Sequence, residues 1–481
     1  MNISEKQKKI LVGIFIGLGC TIVATIMLGG GYAYWITSQA NIHSNVYIQG
    51  VDVGGMLPDE AALRLKNEMK NKLNEKELTL IFDDKSWSYP LESIRYDYDY
   101  DQAINKAWNL GRDGNIIQNA MKVRRLQEQA YHIELENCFE EDLIDKILDE
   151  LENEINFEGK AATLERSSGE FVITAEIEGK KLRKEESREK MITALESGDI
   201  SPLEISVDTL SVYPTKAELK LIDGIIGEFS TRFNAGDVGR TANLQRGAQS
   251  INGTLLLPDE EFSFNKTTGP RSAAAGYREA PVIVQGELVP GIGGGICQVS
   301  TTLYNAAIRS NLPIVERRNH SLPVSYVNLG HDATVSYGAI DLKFENHYDH
   351  PIYIESYIQG NRIFVNIYGN ESSKIQRIDL ASHVTEVIEP HIEEKQDEEL
   401  YEGEIIVEQE PKRGYRVVTY KIYYENGREI KREEISRDYY RPVKGIKLVG
   451  VKPRPLHEQF EQHELIEYIH SQNQSESEIE M

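Results

Sequence analysis

Residues 10–34 (ILVGIFIGLGCTIVATIMLGGGYAY) form an almost uninterrupted apolar run, entered directly from Lys6, Lys8 and Lys9. About 20 such residues suffice to carry a helix across the hydrocarbon core of a membrane. Lysines on the N-terminal side hold that end in the cytoplasm. Residues 1–9 therefore read as a cytoplasmic tail, 10–34 as a transmembrane anchor, and the remainder as exported. The competing reading is a cleaved signal peptide, whose apolar part spans only about 7–15 residues before a small-residue cleavage site. No persuasive site follows this run. A lipid-modified Cys20 is disfavoured by Gly17, which stands where such signals place an apolar residue, so Cys20 reads as a small filler of the span.

The rest of the 481 residues, 40% hydrophobic and 27% charged overall, is long enough for several ordinary domains. A formal net charge of -24 repels a polyanion, which argues against nucleic acid as a partner. Outside the anchor only Cys138 and Cys297 remain. They are too few for a disulfide framework, although they can still pair with each other.

Periodicity divides the exported part. Residues 46–55 (VYIQGVDVGG) alternate as a strand, and 59–73 place Ala62, Leu65, Met69 and Leu73 at helical spacing. Strands are predicted at 78–82 and 87–89 and a helix near 139–155. A hairpin follows at 163–173, turning at Ser168 and Gly169, and 177–195 repeats the strand-turn-helix order. Residues 45–213 thus predict one α+β module. The next, 214–372, opens with helical patterns at 219–229 and 240–251, the latter closed by Asn252 and Gly253. After Ser372 the acidic run Glu393, Glu394, Asp397, Glu398 and Glu399 reads as a linker. Strands about Asn426 and Gly427 make a hairpin within an all-β module, 385–451. Residues 452–481 read as a disordered acidic tail. The fold class is multidomain α+β behind a single transmembrane helix.

The chemistry concentrates in 293–306, GGGICQVSTTLYNA. Glycines permit a tight backbone approach, and Cys297, Thr301, Tyr304 and Ile308 then recur at helical spacing. A cysteine in the first turn of a helix meets unpaired backbone N–H groups and the positive end of the helix dipole, which favour a thiolate. The same amides suit an oxyanion. The bland alternative is a buried cysteine that merely packs. A phosphate loop is disfavoured, since no Gly-Lys-Ser/Thr follows. A nucleophilic cysteine needs a base, itself oriented by a third group. His320 (NHSLPVSYV) and His331, beside Asp332 (GHDATVSYG), are the candidates, whereas His347 and His350 (FENHYDHP) read as a surface loop. Each histidine is otherwise an ordinary solvated or hydrogen-bonded imidazole. No short-spaced ligand pair supports a metal, and no cofactor is expected. Arg271, in the polar loop FSFNKTTGPRSAAAGY, suits a substrate carboxylate, or is an ordinary surface arginine. Gln298 suits an oxyanion or a helix cap. Gly295, Gln298, Arg271 and Tyr304 complete the oxyanion or substrate-binding candidates.

These segments resemble the VanW-like family. The resemblance runs from about residue 240 to 368, through ANLQRGAQSINGTLLLPDEEFSFN, GPRSAAAGYREAPVIVQGELVPGIGGGICQVSTTLYNA, HSLPVSYV and DATVSYGAIDLKFEN. The preceding region resembles the peptidoglycan-binding domain that commonly precedes VanW domains, and 385–450 is similar to the glycine-marked G-five domain of cell-surface proteins. The resemblance implies a cell-wall protein whose partners are peptidoglycan stem peptides and glycan. Some VanW-domain proteins of clostridia are L,D-transpeptidases with a cysteine nucleophile. The matching cysteine here is Cys297, and the His-Ser-x-Pro-Val motif makes His320 the preferred base, with Asp332 to orient it. The Ser/Thr-His-Gly-Cys context of the common L,D-transpeptidase domain is absent. The expected activity joins third residues of stem peptides through a cysteine thioester. The alternatives are a non-catalytic wall-binding scaffold or glycopeptide-resistance accessory protein, and a peptidoglycan cysteine peptidase.

Overall fold

The computed structural model describes residues 5–74, 76–167, 169–284, 287–375 and 377–454. Most of the expected acidic tail, 455–481, and Ser168 of the expected hairpin turn lie outside them. Helix Glu5–Thr37 contains the whole apolar run and is long and apolar enough to cross a membrane, with a mean hydropathy of 2.5 over its most apolar window.

The chain forms two compact units, residues 1–160 with 177–212, and 161–176 with 213–481. In the first, strand Val46–Ile48 pairs antiparallel with Val51–Asp52 and parallel with Tyr131–Ile133. Helix Pro58–Leu73 starts on a proline, as first turns tolerate, and buries Ala61, Leu65 and Met69 against Ile48 and Ile104. A second core gathers under strands Glu77–Phe82 and Lys85–Pro90. There Ile144, Ile147, Leu148, Leu151 and Ile155 of helix Glu141–Ile155 make one apolar stripe that meets Met191 and Leu195 of helix Lys184–Ser197.

The second unit is built on a four-stranded antiparallel sheet, in the order Gly224–Arg232, Arg362–Gly369, Ile352–Gln359, Thr254–Leu256. Alternation along a strand sends successive side chains to opposite faces. Ile354, Ile363, Val365 and Ile367 bury against Leu244 of helix Val238–Ile251 and against Val299 and Leu303 of helix Ile296–Arg309. Tyr353 and Tyr368, facing away, receive the hairpin Thr163–Ser167/Glu170–Thr174. Phe171 packs edge-on against both tyrosines, with ring centroids at 5.3 and 5.1 Å. Arg166 Nε donates to Glu355 Oε1 at 2.8 Å.

That hairpin was expected within the 45–213 module, and it is the sheet's need to cover its second face that draws it to the other unit. The helix expected at 219–229 is a single turn, Lys216–Leu219, followed by strand Gly224–Arg232. Two glycines lower its helix propensity, and pairing along the length of Arg362–Gly369 decides the conformation. The expected linker is also absent, because strand Arg377–Ile388 begins almost at once and the acidic run forms strand Ile392–Tyr401, paired in parallel with Gly445–Lys452. Residues 377–452 make two three-stranded sheets. FENHYDHP is a surface loop only in part: His347 and Asp349 are exposed, but Asn346 is fully buried, its Nδ2 donating to the carbonyls of Leu256 and His350, and His350 is buried against Ser373.

Candidate functional site

Helix Ile296–Arg309 starts from a turn that only glycine fits comfortably. Gly295 has φ +104°, a region costly for any residue with a Cβ. Gly294 provides room instead, since a Cβ there would stand 2.6 Å from the carbonyl oxygens of Ala280 and Pro281, in the hairpin formed by Glu279–Val284 and Glu287–Ile292. Cys297 is consequently in the first turn, where backbone N–H groups lack intrahelical acceptors.

One polar stripe of this helix organises the rest. Cys297, Thr301 and Asn305 climb about 6 Å per step, close to the roughly 6.6 Å between alternate residues of an extended chain. Segment 331–335 lies beside them in register. Asn305 Nδ2 donates to the His331 carbonyl at 2.7 Å, Thr301 Oγ1 accepts from Ala333 N at 3.0 Å, and Val335 N donates to Cys297 Sγ at 3.5 Å. Ser300 Oγ adds a bond to the Ala333 carbonyl at 2.7 Å. Asp332 sits between two of these stapled residues and meets His320.

Asp332 Oδ2 lies 2.6 Å from His320 Nδ1 and also accepts the His320 backbone N–H at 2.6 Å. With Nδ1 engaged, the other ring nitrogen is left free on the cleft that His320 shares with Cys297, whose Sγ lies 3.5 Å from Thr334 Oγ1 and from Val335 N, and the sulfur and the imidazole are near enough to shift each other's protonation. Burial alone would push the Cys297 thiol up; the hydrogen bond and charge of His320, helped by Val335 N–H and Thr334, outweigh it and bring the thiol down to about 7. Burial likewise opposes a charge on His320, yet Asp332 and the sulfur raise it to about 9. Asp332 itself resists the upward push of burial because His320 and Tyr440 stabilise its carboxylate. Near neutral pH the imidazole is thus protonated while the thiol stands at the middle of its titration, and the thiolate–imidazolium form gains as pH rises above 7.

The C-terminal β module completes this arrangement. Tyr440, at the end of strand Arg428–Tyr440, donates to Asp332 Oδ1 and accepts from Gly330 N at 2.7 Å. Asp438 on the same strand binds Arg317 Nη1 at 2.5 Å, and Arg317 Nε holds the Asp332 carbonyl at 2.7 Å. All four side chains are buried, so the second carboxylate oxygen of Asp332 is occupied from a different module.

A cleft of about 1540 Å³ opens over Cys297 and His320, walled by Gly293, Gly294, Gly295, Arg271, Tyr326 and Tyr337 among others. Cys297, His320, Asp332, Gly295, Gln298 and Arg271 are thus brought together, with different parts to play. Both amide hydrogens of Gln298 are taken, by Thr231 Oγ1 at 3.1 Å and the Arg232 carbonyl at 2.7 Å, and its oxygen accepts from Arg240. It is neither a free oxyanion donor nor a helix cap. Arg271 lies between the rings of Phe264 and Tyr337, with Nη1 on Asn265 Oδ1 at 2.5 Å and no partner for Nε or Nη2 among the described residues. Tyr304 falls outside the cleft: it is buried about two helical turns beyond Cys297, under the Arg317 guanidinium. His331 does not line the cleft, and burial, with the charge of Arg309, lowers it to about 4. Cys138 and Cys297 are both free thiols. Among the described residues no cluster of three His, Cys, Asp or Glu side chains is arranged to hold a metal.

Sequence reasoning missed Tyr440, Asp438, Arg317, Thr334 and Tyr326. Tyr326 lies six residues after His320 in the same motif, where a lone tyrosine among small residues was the available signal. Tyr440 and Asp438 carried none, being more than 100 residues away in another module.

Residues 239–368 match the family described as VanW like protein, 87–203 that described as "Putative peptidoglycan binding domain", and 381–452 the G5 domain. The Uncharacterized protein YoaR of Bacillus subtilis (strain 168) is 40% identical over 183 residues, 37% of this chain and 60% of that protein. The Vancomycin B-type resistance protein VanW of Enterococcus faecalis (strain ATCC 700802 / V583) is 31% identical over 134 residues, 27% of this chain and 49% of that protein. The chain thus spans about half to three-fifths of the length of these curated relatives. Two solved structures each cover 16% of this chain: the IgA1 Protease G5 domain structure (28% identity, TM-score 0.12, 95% of that chain) and HP0197-G5 (20%, 0.11, 100%). The chain therefore carries a VanW-like domain between a domain of the peptidoglycan-binding type and a G5 domain.

Proposed function

We propose that this protein is a membrane-anchored peptidoglycan L,D-transpeptidase, with helix Glu5–Thr37 spanning the membrane, Lys6, Lys8 and Lys9 on the cytoplasmic side and the bulk of the chain facing the wall. The observation that carries it is the chain Cys297–His320–Asp332 at the head of a helix, opening on a cleft. The Cys297 thiolate attacks the carbonyl carbon of the third stem residue, and backbone amides at Gly295 and Cys297 receive the oxyanion. Collapse expels the terminal D-Ala as its amine, protonated by the His320 imidazolium, and leaves a thioester. His320, now neutral, takes a proton from the side-chain amine of a neighbouring stem as that amine attacks, and the thiolate leaves. In the thiolate–imidazolium form of the pair, His320 acts first as an acid. Asp332 keeps its ring oriented and charged, and Arg271 offers the fork of Nε and Nη2 to a stem carboxylate.

The test is incubation of the detergent-solubilised full-length protein with disaccharide-tetrapeptide, followed by mass spectrometry. A protein whose mass rises by that of the donor less one D-Ala, and a cross-linked dimer, are expected, both lost in Cys297→Ala. Stem fragments without dimer would instead select a cysteine peptidase, in which water resolves the thioester. No adduct, together with slow alkylation of Cys297, would leave a wall-binding scaffold. An accessory part in glycopeptide resistance, suggested by the name of the Enterococcus relative, belongs to the same wall chemistry.

A further inference from the structure

The chain carries 77 acidic against 53 basic residues. In the cleft above Cys297 the balance is reversed. Arg232, Arg240, Arg271, Arg318 and Arg362 all line it, no aspartate or glutamate does, and none of the five forms an ion pair among the described residues.

Three of them are built into one cluster. Arg232 ends strand Gly224–Arg232 and Arg362 begins strand Arg362–Gly369, and the two are direct cross-strand partners. Directly opposed side chains share a face, and like charges placed so repel. Arg362 is held by a neutral partner, Ser230 Oγ at 2.8 Å from Nη1. Arg240 is tied to the same place by Gln298, whose oxygen accepts from Arg240 Nη2 at 2.8 Å while its nitrogen donates to the Arg232 carbonyl at 2.7 Å. Gln298 follows the nucleophile directly in sequence. The cluster is thus positioned by neutral hydrogen bonds, in the same cleft as the reacting sulfur, with its charge unpaired among the described residues.

We infer that Arg232, Arg240 and Arg362 are a subsite for an acidic peptide, and that they select donor stems whose carboxylates are free rather than amidated. The inference rests on the proposed reading for the identity of the peptide. A guanidinium accepts nothing and presents planar paired donors, so it binds a carboxylate in a fork and loses both charge and geometry against an amide. Converging cations in a walled cleft also strengthen one another's field, which draws an anionic ligand to the sulfur despite the repelling net charge of the chain. The phosphodiester of an anionic wall polymer would meet the same charges, but its tetrahedral groups alternate along a chain that offers Cys297 no peptide carbonyl.

The experiment is equilibrium binding to detergent-solubilised full-length Cys297→Ala, which separates recognition from chemistry. The probes are disaccharide-tetrapeptide with free carboxylates, the same compound amidated, and a glycerol-phosphate oligomer. Amidation is expected to weaken binding by about tenfold or more, the loss of at least one charge-assisted contact, and added salt to weaken only the free acid. In Arg232→Gln/Arg362→Gln, which keeps the side-chain stems, the free acid should bind no better than the amide. Equal affinity of the two stems overturns the inference, and so does tighter binding of the phosphate oligomer. Should the double variant fail to fold by near-ultraviolet circular dichroism, the comparison of the two stems on the unaltered cleft decides alone. Discrimination without any thioester in the wild-type protein would retain this subsite and remove the transpeptidase, whereas thioester formation without discrimination would do the reverse.

Discussion

The Tyr440 hydroxyl donates to Asp332 Oδ1 at 2.5 Å, joining two residues that lie 108 apart in sequence and in different modules. Its oxygen in turn accepts the Gly330 N–H. One phenol therefore fixes the carboxylate that orients His320 and anchors the backbone two residues before it, so the G5 domain contributes directly to the geometry around Cys297.

Tyr440→Phe keeps the buried ring and removes both bonds. Leaving a buried N–H and a carboxylate oxygen without partners should lower stability by about 1–3 kcal/mol, read as a shift in the chemical denaturation midpoint of the full-length protein. A change below about 0.5 kcal/mol, the level of an ordinary surface substitution, would show that the phenol does not hold Asp332.

Thiol titration should separate Cys297 from an ordinary cysteine. Because its proton is lost at about 7, the rate of iodoacetamide alkylation should rise through pH 7 and be nearly level by pH 8.5, followed by peptide mapping to distinguish Cys20 and Cys138. Asp332→Asn removes the anion that keeps His320 charged. The imidazolium then gives up its proton more readily, the sulfur loses its counter-charge, and the inflection should move up toward the ordinary thiol range. An inflection unchanged in Asp332→Asn would disprove the coupling.

Cross-linking activity should be bell-shaped in pH. The thiolate is lost as pH falls through about 7, and the imidazolium that protonates the leaving amine is lost as pH rises through about 9. Rates of thioester formation measured by rapid quench from pH 5.5 to 10.5 test this; a profile that keeps climbing beyond pH 10 would contradict His320 as the acid.

Thr301→Val is nearly isosteric but strips Ala333 N–H of its acceptor in a fully buried place. The expected cost is about 1–3 kcal/mol. Segment 331–335 should also loosen, so that hydrogen exchange at Ala333 and Val335 speeds up while Leu303 and Ile354 in the core are unchanged. Protection retained at Ala333 would mean that Ser300 and Asn305 suffice to hold the segment.

Much of the local order was legible because it depends on near neighbours. The apolar run 10–34 can satisfy its backbone in lipid only as a helix. The stripe from Ile144 to Leu151 announces a helix by its own spacing, and the glycines before Cys297 announce a turn that other residues cannot make. The candidate nucleophile followed from those glycines and the helix start. The strand at 224–232 was not legible, because its conformation is decided by a partner strand some 130 residues later.

What the sequence by itself determined are the long apolar helix near the N-terminus, the α+β segments with an all-β end, and the side chains available for chemistry at residues 297, 320 and 332, since these depend on composition and on short-range periodicity. Only the tertiary structure decided that Gln298 is spent on Thr231 and Arg232, that Tyr304 lies outside the cleft, that the hairpin at 163–174 covers the second unit's sheet, and that Tyr440 reaches Asp332. Each of those outcomes hangs on which buried donor meets which buried acceptor once strands distant in the chain have paired. A buried polar group must find a partner, but sequence spacing does not say which.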